Sequence, residues 1–407
     1  MKFPIYFLFL GLLGCTLFGF ARAQPAPHSY RIQAVGTNTA SEKWCDYLRA
    51  QLERRMGNNH AVLNTSAPPS ALDILIELDT TLTADYAIQR TGNRLTLQAE
   101  NEEVMLWMIY QCISWLAEED SRIAAADLPP ALTDMRLSSR GNFRFEYRGI
   151  YSPSNMQPEA RAILATHNVD DDWGLWGHNL RKALGNQSDE SLYAMHDGRR
   201  DESQFCFSSE TLYHGLESYI LDNYGDGVHG AGARSFRFCI MPDDNDRVCQ
   251  CSACRRAGNT LQSATGAVDR LLRRLAERFP RHLFFTTAYR TTADAPGSPM
   301  PANCGVLVSA IDLPLHPLNT QEKTVSQFER KLTEWKRVTS RIYVWDYMRN
   351  FDDYLTPFPM LAPSNNASRT SRKTAYRVFS STAAAMTTLR WMMYRPMFSR
   401  PCCSQTA

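Results

Sequence analysis

SATGAVDRLLRRLAERFPRHLFFTTAYR, Ser263–Arg290, decides the fold class. Its first half sets Val268, Leu271, Leu272, Leu275 and Ala276 at the three-and-four spacing that gathers apolar residues on one face of a helix. Its second half, HLFFTTAYR, is an aromatic and β-branched run of strand length. The same alternation continues on both sides. The strand-like runs are FRFEYRGIY, a short DWGLWGH, SLYAMHD, SFRFCIMPD, HLFFTTAYR, GVLVSAIDL and RIYVWDYM. Helical segments include Glu210–Asp222, the quoted stretch and SQFERKLTEWKRV. Strands alternating with helices imply a parallel sheet. Seven such units over residues 140–361 point to an α/β (β/α)8 TIM-type barrel lacking its last βα unit, with an open doubly wound sheet as the alternative.

Upstream, residues 29–125 read as a small α/β domain in the order strand, helix, strand, strand, strand, helix, and 126–139 as a Pro-rich linker. Lys2, the apolar run from Ile5 to Phe20 and the Ala21-Arg22-Ala23 site form a secretory signal over residues 1–23. The alternative is a lipoprotein site, LLGC, which would tether the chain at Cys15. Either way the protein is expected to be exported, periplasmic or secreted. No other segment is apolar over the ~20 residues of a membrane span. With 44 Lys+Arg against 42 Asp+Glu, the chain has neither a basic field for nucleic acid nor an acidic tail. After Pro359 apolar periodicity stops. Back-translating the tail one base out of frame restores a glycine-bounded apolar strand. We therefore expect residues 362–407 to be an irregular tail, the product of a frameshift near Leu361.

In a parallel α/β sheet, chemistry collects where strands end and the following loops begin. Asp243, Asp244 and Asp246 follow SFRFCIM, Asp346 and Tyr347 follow RIYVW, Asp312 follows GVLVSAI, and Tyr289 follows FFTTA. His196 and Asp197 follow SLYAM, Arg148 follows FRFEY, and His178 and Asn179 follow DWGLW. Paired carboxylates at such an edge suit glycosidic-bond hydrolysis, where one protonates the leaving oxygen and the other activates water or attacks the sugar. Trp173, Trp176, Trp345, Tyr347 and Tyr289 are candidates to shape sugar subsites. His178, Asn179 and Arg148 are candidates to bind hydroxyl or carboxylate groups. The sequence has no phosphate-binding Gly-rich loop, G-x-S-x-G elbow or H-E-x-x-H.

MPDDNDRVCQCSACRRAG, Met241–Gly258, adds Cys249, Cys251 and Cys254 to the aspartate loop. Outside the cytosol the expected role is disulfide stapling of that loop. No cofactor is expected. Zinc on the three cysteines is the weaker alternative, with Cys206, Cys239 or His229 as a fourth ligand.

FRFEYRGIY, DDDWGLWGHNL, the C-F-S-S-E stretch, MPDDNDRVCQCSACRRAG and YVWDYMRNFDDYLTPFP together resemble a bacterial family catalogued as a domain of unknown function, number 4838, placed among glycosidase-type TIM barrels. The resemblance runs from about Arg140 to Pro359. The preceding domain is similar to the one before the barrel in α-glucuronidases and β-hexosaminidases. β-Hexosaminidases carry an Asp-Glu pair after the fourth strand, with Glu as the acid. Here Asp243-Asp244 stands in its place, so the resemblance implies Asp244 as general acid. α-Glucuronidases place the base on a later strand, which implies Asp346 or Asp312. The expected function is thus an exported glycoside hydrolase acting on poly- or oligosaccharides. The alternative is a glycan-binding protein on the same scaffold without a working acid–base pair.

Overall fold

The computed structural model describes residues 29–347 apart from short stretches at 37–38, 58–61, 64–70, 151–152, 186–187, 230–233 and 314–322, together with the backbone of 378–382. The expected signal at 1–23, Cys15 and the region of the expected frameshift near Leu361 lie outside the described residues. The described chain divides into two compact units. One holds the residues up to Leu82 with Tyr86–Glu100 and Met108–Arg140, and the other holds Thr83–Asp85, Asn101–Trp107 and the chain from Gly141.

The first sheet has six strands: β1 (Tyr30–Ala34), β2 (Val62–Leu63), β3 (Leu72–Leu78), β4 (Tyr86–Thr91), β5 (Arg94–Ala99) and β6 (Ser139–Gly141), in the order β2-β1-β3-β5-β4-β6. β1, β2, β3 and β5 run parallel, and β4 returns antiparallel to β5. The period-two alternation of β3 buries Leu72, Ile74 and Ile76 completely. Helix α1 (Thr39–Met56) turns Cys45, Leu48 and Leu52 inward. Helix α2 (Glu102–Glu119) is apolar for most of its length and buried over its middle, from Trp107 to Leu116.

The second unit carries a wholly parallel sheet. Its strands are β7 (Trp173–Leu175), β10 (Arg237–Cys239), β11 (Leu283–Ala288), β12 (Cys304–Ser309), β13 (Ile342–Tyr347) and β14 (Val378–Thr382), in the order β14-β13-β12-β11-β10-β7. A separate two-stranded antiparallel ribbon pairs β8 (Tyr193–His196) with β9 (Arg199–Phe205). The helices are α3 (Pro158–Leu164), α4 (Val169–Asp172), α5 (Arg181–Leu184), α6 (Glu210–Tyr224), α7 (Ser252–Arg256), α8 (Thr265–Arg278) and α9 (Lys323–Lys336).

Alternation sorts each strand onto two faces. Cys239, Phe285, Leu307 and Tyr343 join Tyr147, Val169 and Trp173 in one cluster. Phe238 and Phe284 pack with α6 and α8, where Leu271, Leu272 and Leu275 are wholly or almost wholly buried. Each such leucine contributes about 1.5–3 kcal/mol by leaving water. Helix α6 starts at a serine cap: the Ser209 hydroxyl accepts the Leu212 N–H at 3.3 Å.

Three strand expectations are corrected. The strand order has two ends among the described residues, so the structure shows a six-stranded parallel sheet and no closed barrel among those residues, where a (β/α)8 barrel lacking its last βα unit was expected. Among its described residues FRFEYRGIY forms no strand, only bridge residues at Tyr147, Gly149 and Ile150, with Gly149 paired to His167; the Arg148 N–H goes to the His167 ring, 2.9 Å away. SLYAMHD is half of a hairpin and stands outside the sheet. Its tip, Asp197-Gly198, has φ of 49° and 77°, the left-handed pair that a two-residue hairpin turn demands. In the tail, Val378–Thr382 adds a strand beside β13 that no periodicity announced.

Candidate active site

Because the sheet is parallel, β7, β10, β11, β12 and β13 all end on one edge, and most of the expected residues follow those ends. Trp176, just after β7, stacks on Trp345 of β13 with ring centroids 4.7 Å apart and planes 26° from parallel. His178 lies 6.3 Å from the Tyr289 ring and points Nδ1 at the Pro242 carbonyl, 2.6 Å away. Only a donor nitrogen faces a carbonyl oxygen, so Nδ1 carries the hydrogen. The loops after β7, β10, β11 and β13 therefore converge.

The aspartates after β10 occupy unlike environments. Asp243 is half-buried. Its backbone is clamped by the buried Gln204, whose Oε1 accepts the Asp243 N–H at 3.1 Å while Nε2 donates to the Asp243 carbonyl at 3.2 Å. Burial pushes the Asp243 carboxyl above the usual carboxylate range, opposed by the Arg181 guanidinium 3.2 Å away. Asp244 is exposed and pairs with Arg290 at 2.8 Å. The same guanidinium holds both oxygens of Asp246 at 3.1 Å and donates to the Tyr289 hydroxyl at 3.0 Å. Arg290 sits at φ 45°, a left-handed position uncommon for a residue with a side chain. Neither Arg181 nor Arg290 was among the expected site residues. The only sequence signal for Arg290 is its place directly after a strand end.

Other expected residues have different surroundings. Trp173 is 2% exposed and is packed among Tyr147, Trp176, Phe285 and Tyr343, so it offers a sugar no ring face. Arg148 is buried with its guanidinium bonded to the carbonyls of Phe145 and Ala165 and set over the Phe143 ring. Asp312 is exposed at the rim of a cavity of about 240 Å³ that Asp294 and Lys331 of α9 also line. Burial lowers the Lys331 ammonium, and Asp312 and Asp294 oppose that shift. Asn179 is exposed and Asp346 half-buried near the end of β13. The side chain of Tyr347 lies outside those described. Asp197 forms the hairpin tip, and Glu210 is bound bidentately by Arg274 at 2.8 and 2.7 Å.

The hairpin also changes the count of strands. With SLYAMHD outside the sheet, Asp243-Asp244 follows the strand next to the edge strand β7. The fourth-strand correspondence behind Asp244 as acid loses its register.

The cysteines are free thiols where disulfides were expected. The sulfurs of Cys206, Cys249, Cys251 and Cys254 lie within 4.8 Å of one another. Cys206 Sγ is 3.7 Å from both Cys251 Sγ and Cys254 Sγ, well beyond the ~2.05 Å of a disulfide. The other fourth-ligand candidates stand elsewhere. Cys239 is buried in the sheet, and His229 pairs with Asp226.

The chain is similar to several solved structures. One is the beta-N-acetylhexosaminidase from Bacteroides fragilis, with 12% identity, 87% of this chain and 81% of that chain covered, and a TM-score of 0.41. Another is the GH20 exo beta-N-acetylglucosaminidase from Vibrio harveyi in complex with N-acetylglucosamine, with 9% identity, 92% and 71% covered, and a TM-score of 0.47. A third is the N-acetyl-beta-hexosaminidase from Streptomyces plicatus, with 9% identity, 92% and 90% covered, and a TM-score of 0.46. No curated protein matches the sequence. The family model described as "Domain of unknown function (DUF4838)" matches residues 146–401, past the Pro359 where the resemblance was expected to end, and the chain belongs to that family.

Proposed function

We propose that the protein is an exported glycoside hydrolase that cleaves glycosidic bonds of poly- or oligosaccharides by carboxylate general acid/base catalysis. One observation carries this reading: adjacent carboxyls at the sheet's C-terminal edge have opposed environments. Asp243 is half-buried with its proton affinity raised by burial, and Asp244 gives its carboxylate to Arg290. A carboxyl whose environment raises its proton affinity suits the acid role, and one held ionised by a guanidinium does not. This favours Asp243 over Asp244 as proton donor to the leaving oxygen. Asp346, arriving on β13, is the base or nucleophile. Trp176 and Trp345 form the aromatic wall for a sugar ring, with His178, Asn179 and Tyr289 beside them.

The test is Asp243→Asn assayed for new reducing ends across a panel of oligosaccharides and aryl glycosides. A loss of about 10²-fold or more in kcat/KM with an unchanged melting temperature is expected. Unchanged turnover of a substrate that the wild type cleaves would remove Asp243 from the role. A second reading, glycan binding without cleavage, draws support from the ion pairs of Arg181 with Asp243 and of Arg290 with Asp244 and Asp246. Binding on a glycan array with no new reducing ends from any bound glycan would favour it.

A further inference from the structure

Four of the second unit's six described cysteines meet at one point, and chain topology brings them there from two directions. Cys206 follows β9 directly, and its N–H donates to the Leu192 carbonyl at 2.8 Å. Cys249, Cys251 and Cys254 lie on the loop after β10, with Cys251 capping α7. That loop is stitched to the ribbon by the Gln250 N–H, which donates to the Met195 carbonyl at 2.8 Å.

We propose that Cys206, Cys249, Cys251 and Cys254 bind one zinc ion as a closed, structural tetrathiolate site. The first argument is metric. Zn–S bonds are about 2.3 Å, and in a regular tetrahedron that sets sulfurs about 3.8 Å apart. The Cys206–Cys251 and Cys206–Cys254 separations are both 3.7 Å. The four ligand atoms all lie within 4.8 Å of one another, which suits a single ion at their centre. The second argument is what surrounds the sulfurs. The Met195 N–H points at Cys249 Sγ from 3.2 Å and the Cys254 N–H at Cys251 Sγ from 3.4 Å. The Cys254 thiol donates to Ser208 Oγ at 3.3 Å, a contact the hydroxyl would reverse on a metal-bound thiolate. Donors aimed at sulfur are what metal-bound thiolates accept, and they are the outer contacts that orient such ligands. The third argument is enclosure. Cys206, Cys249 and Cys254 are 0–3% exposed. With four protein ligands in place no position is left for water or substrate, so the ion is structural rather than catalytic. Binding replaces the thiol protons, which pass to solvent. The site would lock the β8–β9 ribbon to the loop that carries Asp243, Asp244 and Asp246, and it stands whether or not those residues cleave glycans.

The experiment is elemental analysis of the full chain purified without chelator, with thiols counted in denaturant before and after chelation. One zinc per chain is expected, with the four thiols reacting only after the metal is removed. Cobalt(II) exchanged into the protein should give the intense visible spectrum of a tetrathiolate. Cys206→Ser should lower zinc content at least tenfold, while Cys304→Ser, outside the cluster, should keep it. If Cys206→Ser does not fold, the cobalt spectrum and thiol count on the unaltered chain decide. Less than a tenth of a zinc per chain together with cystine-linked peptides among these four residues would overturn the proposal. One iron per chain in place of zinc would overturn it too.

Discussion

Asp172 gives the sharpest test of the electrostatics. It ends α4 just before Trp173, at the opposite edge of the sheet from Asp243. Burial raises its carboxyl from 3.8 to about 6, against the pull of Arg237. No described hydrogen-bond donor reaches its carboxylate. At about 1.4 kcal/mol for each tenfold change in proton affinity, the ionised group costs the folded state about 3 kcal/mol at neutral pH. The direction follows from the raised value. Below 3.8 the group is neutral in folded and unfolded chains alike and the penalty is absent. Stability is lost as pH rises through about 6. Asp172→Asn keeps the shape and removes the charge. The pull of Arg237 is already contained in that net cost, so the variant should be about 2–3 kcal/mol more stable at pH 7.5. At pH 4 the difference should shrink toward zero. Urea unfolding followed by tryptophan fluorescence at both pH values measures this. If Asp172→Asn is equally or less stable at pH 7.5, the attraction to Arg237 outweighs burial and the reasoning fails.

Trp176→Ala removes a half-buried partner of the Trp345 stack and should weaken glycan binding at least tenfold; isothermal titration with a bound glycan checks it. Gly305→Ala would set a methyl 2.6 Å from both the Arg341 carbonyl and the Phe285 ring, and should cost about 1–3 kcal/mol in denaturant unfolding. Ser209→Ala removes the cap of α6 and should cost about 1 kcal/mol by the same measurement.

Most of the parallel sheet was legible because its strands are unbroken aromatic and β-branched runs: HLFFTTAYR became β11, GVLVSAIDL became β12 and RIYVWDYM became β13. The ribbon was misplaced although the sequence carried its signal, Asp197-Gly198 between two extended runs. A strand-length run by itself does not say which neighbour it pairs with. FRFEYRGIY reads as a strand because nothing local reveals that Arg148 bonds to the chain around Ala165 and His167. At the candidate site, the aspartates and Trp176 stood out because they follow strand ends. Their partners Arg181, Gln204 and Arg290 did not, since each reaches its aspartate from a distant segment. Three cysteines were visible as a group in one loop, but only the fold brings Cys206 to them.

The pairing of β7 with β10 has a kinetic consequence. Trp173 lies beside Arg237 and Leu175 beside Phe238, yet residues 176–236, including the whole ribbon and α6, intervene. The remaining ladder closes shorter loops: residues 240–282 with α7 and α8 between β10 and β11, 289–303 between β11 and β12, and 310–341 with α9 between β12 and β13. Contacts that close long loops form late, because chain entropy is lost before the contact rewards it. The edge carrying Trp176 and His178 should therefore dock after the β10–β13 block has consolidated. In refolding followed by pulsed hydrogen exchange, amides of β11 and β12 should gain protection before those of β7, and the edge carrying Trp176 should be the last to acquire its shape.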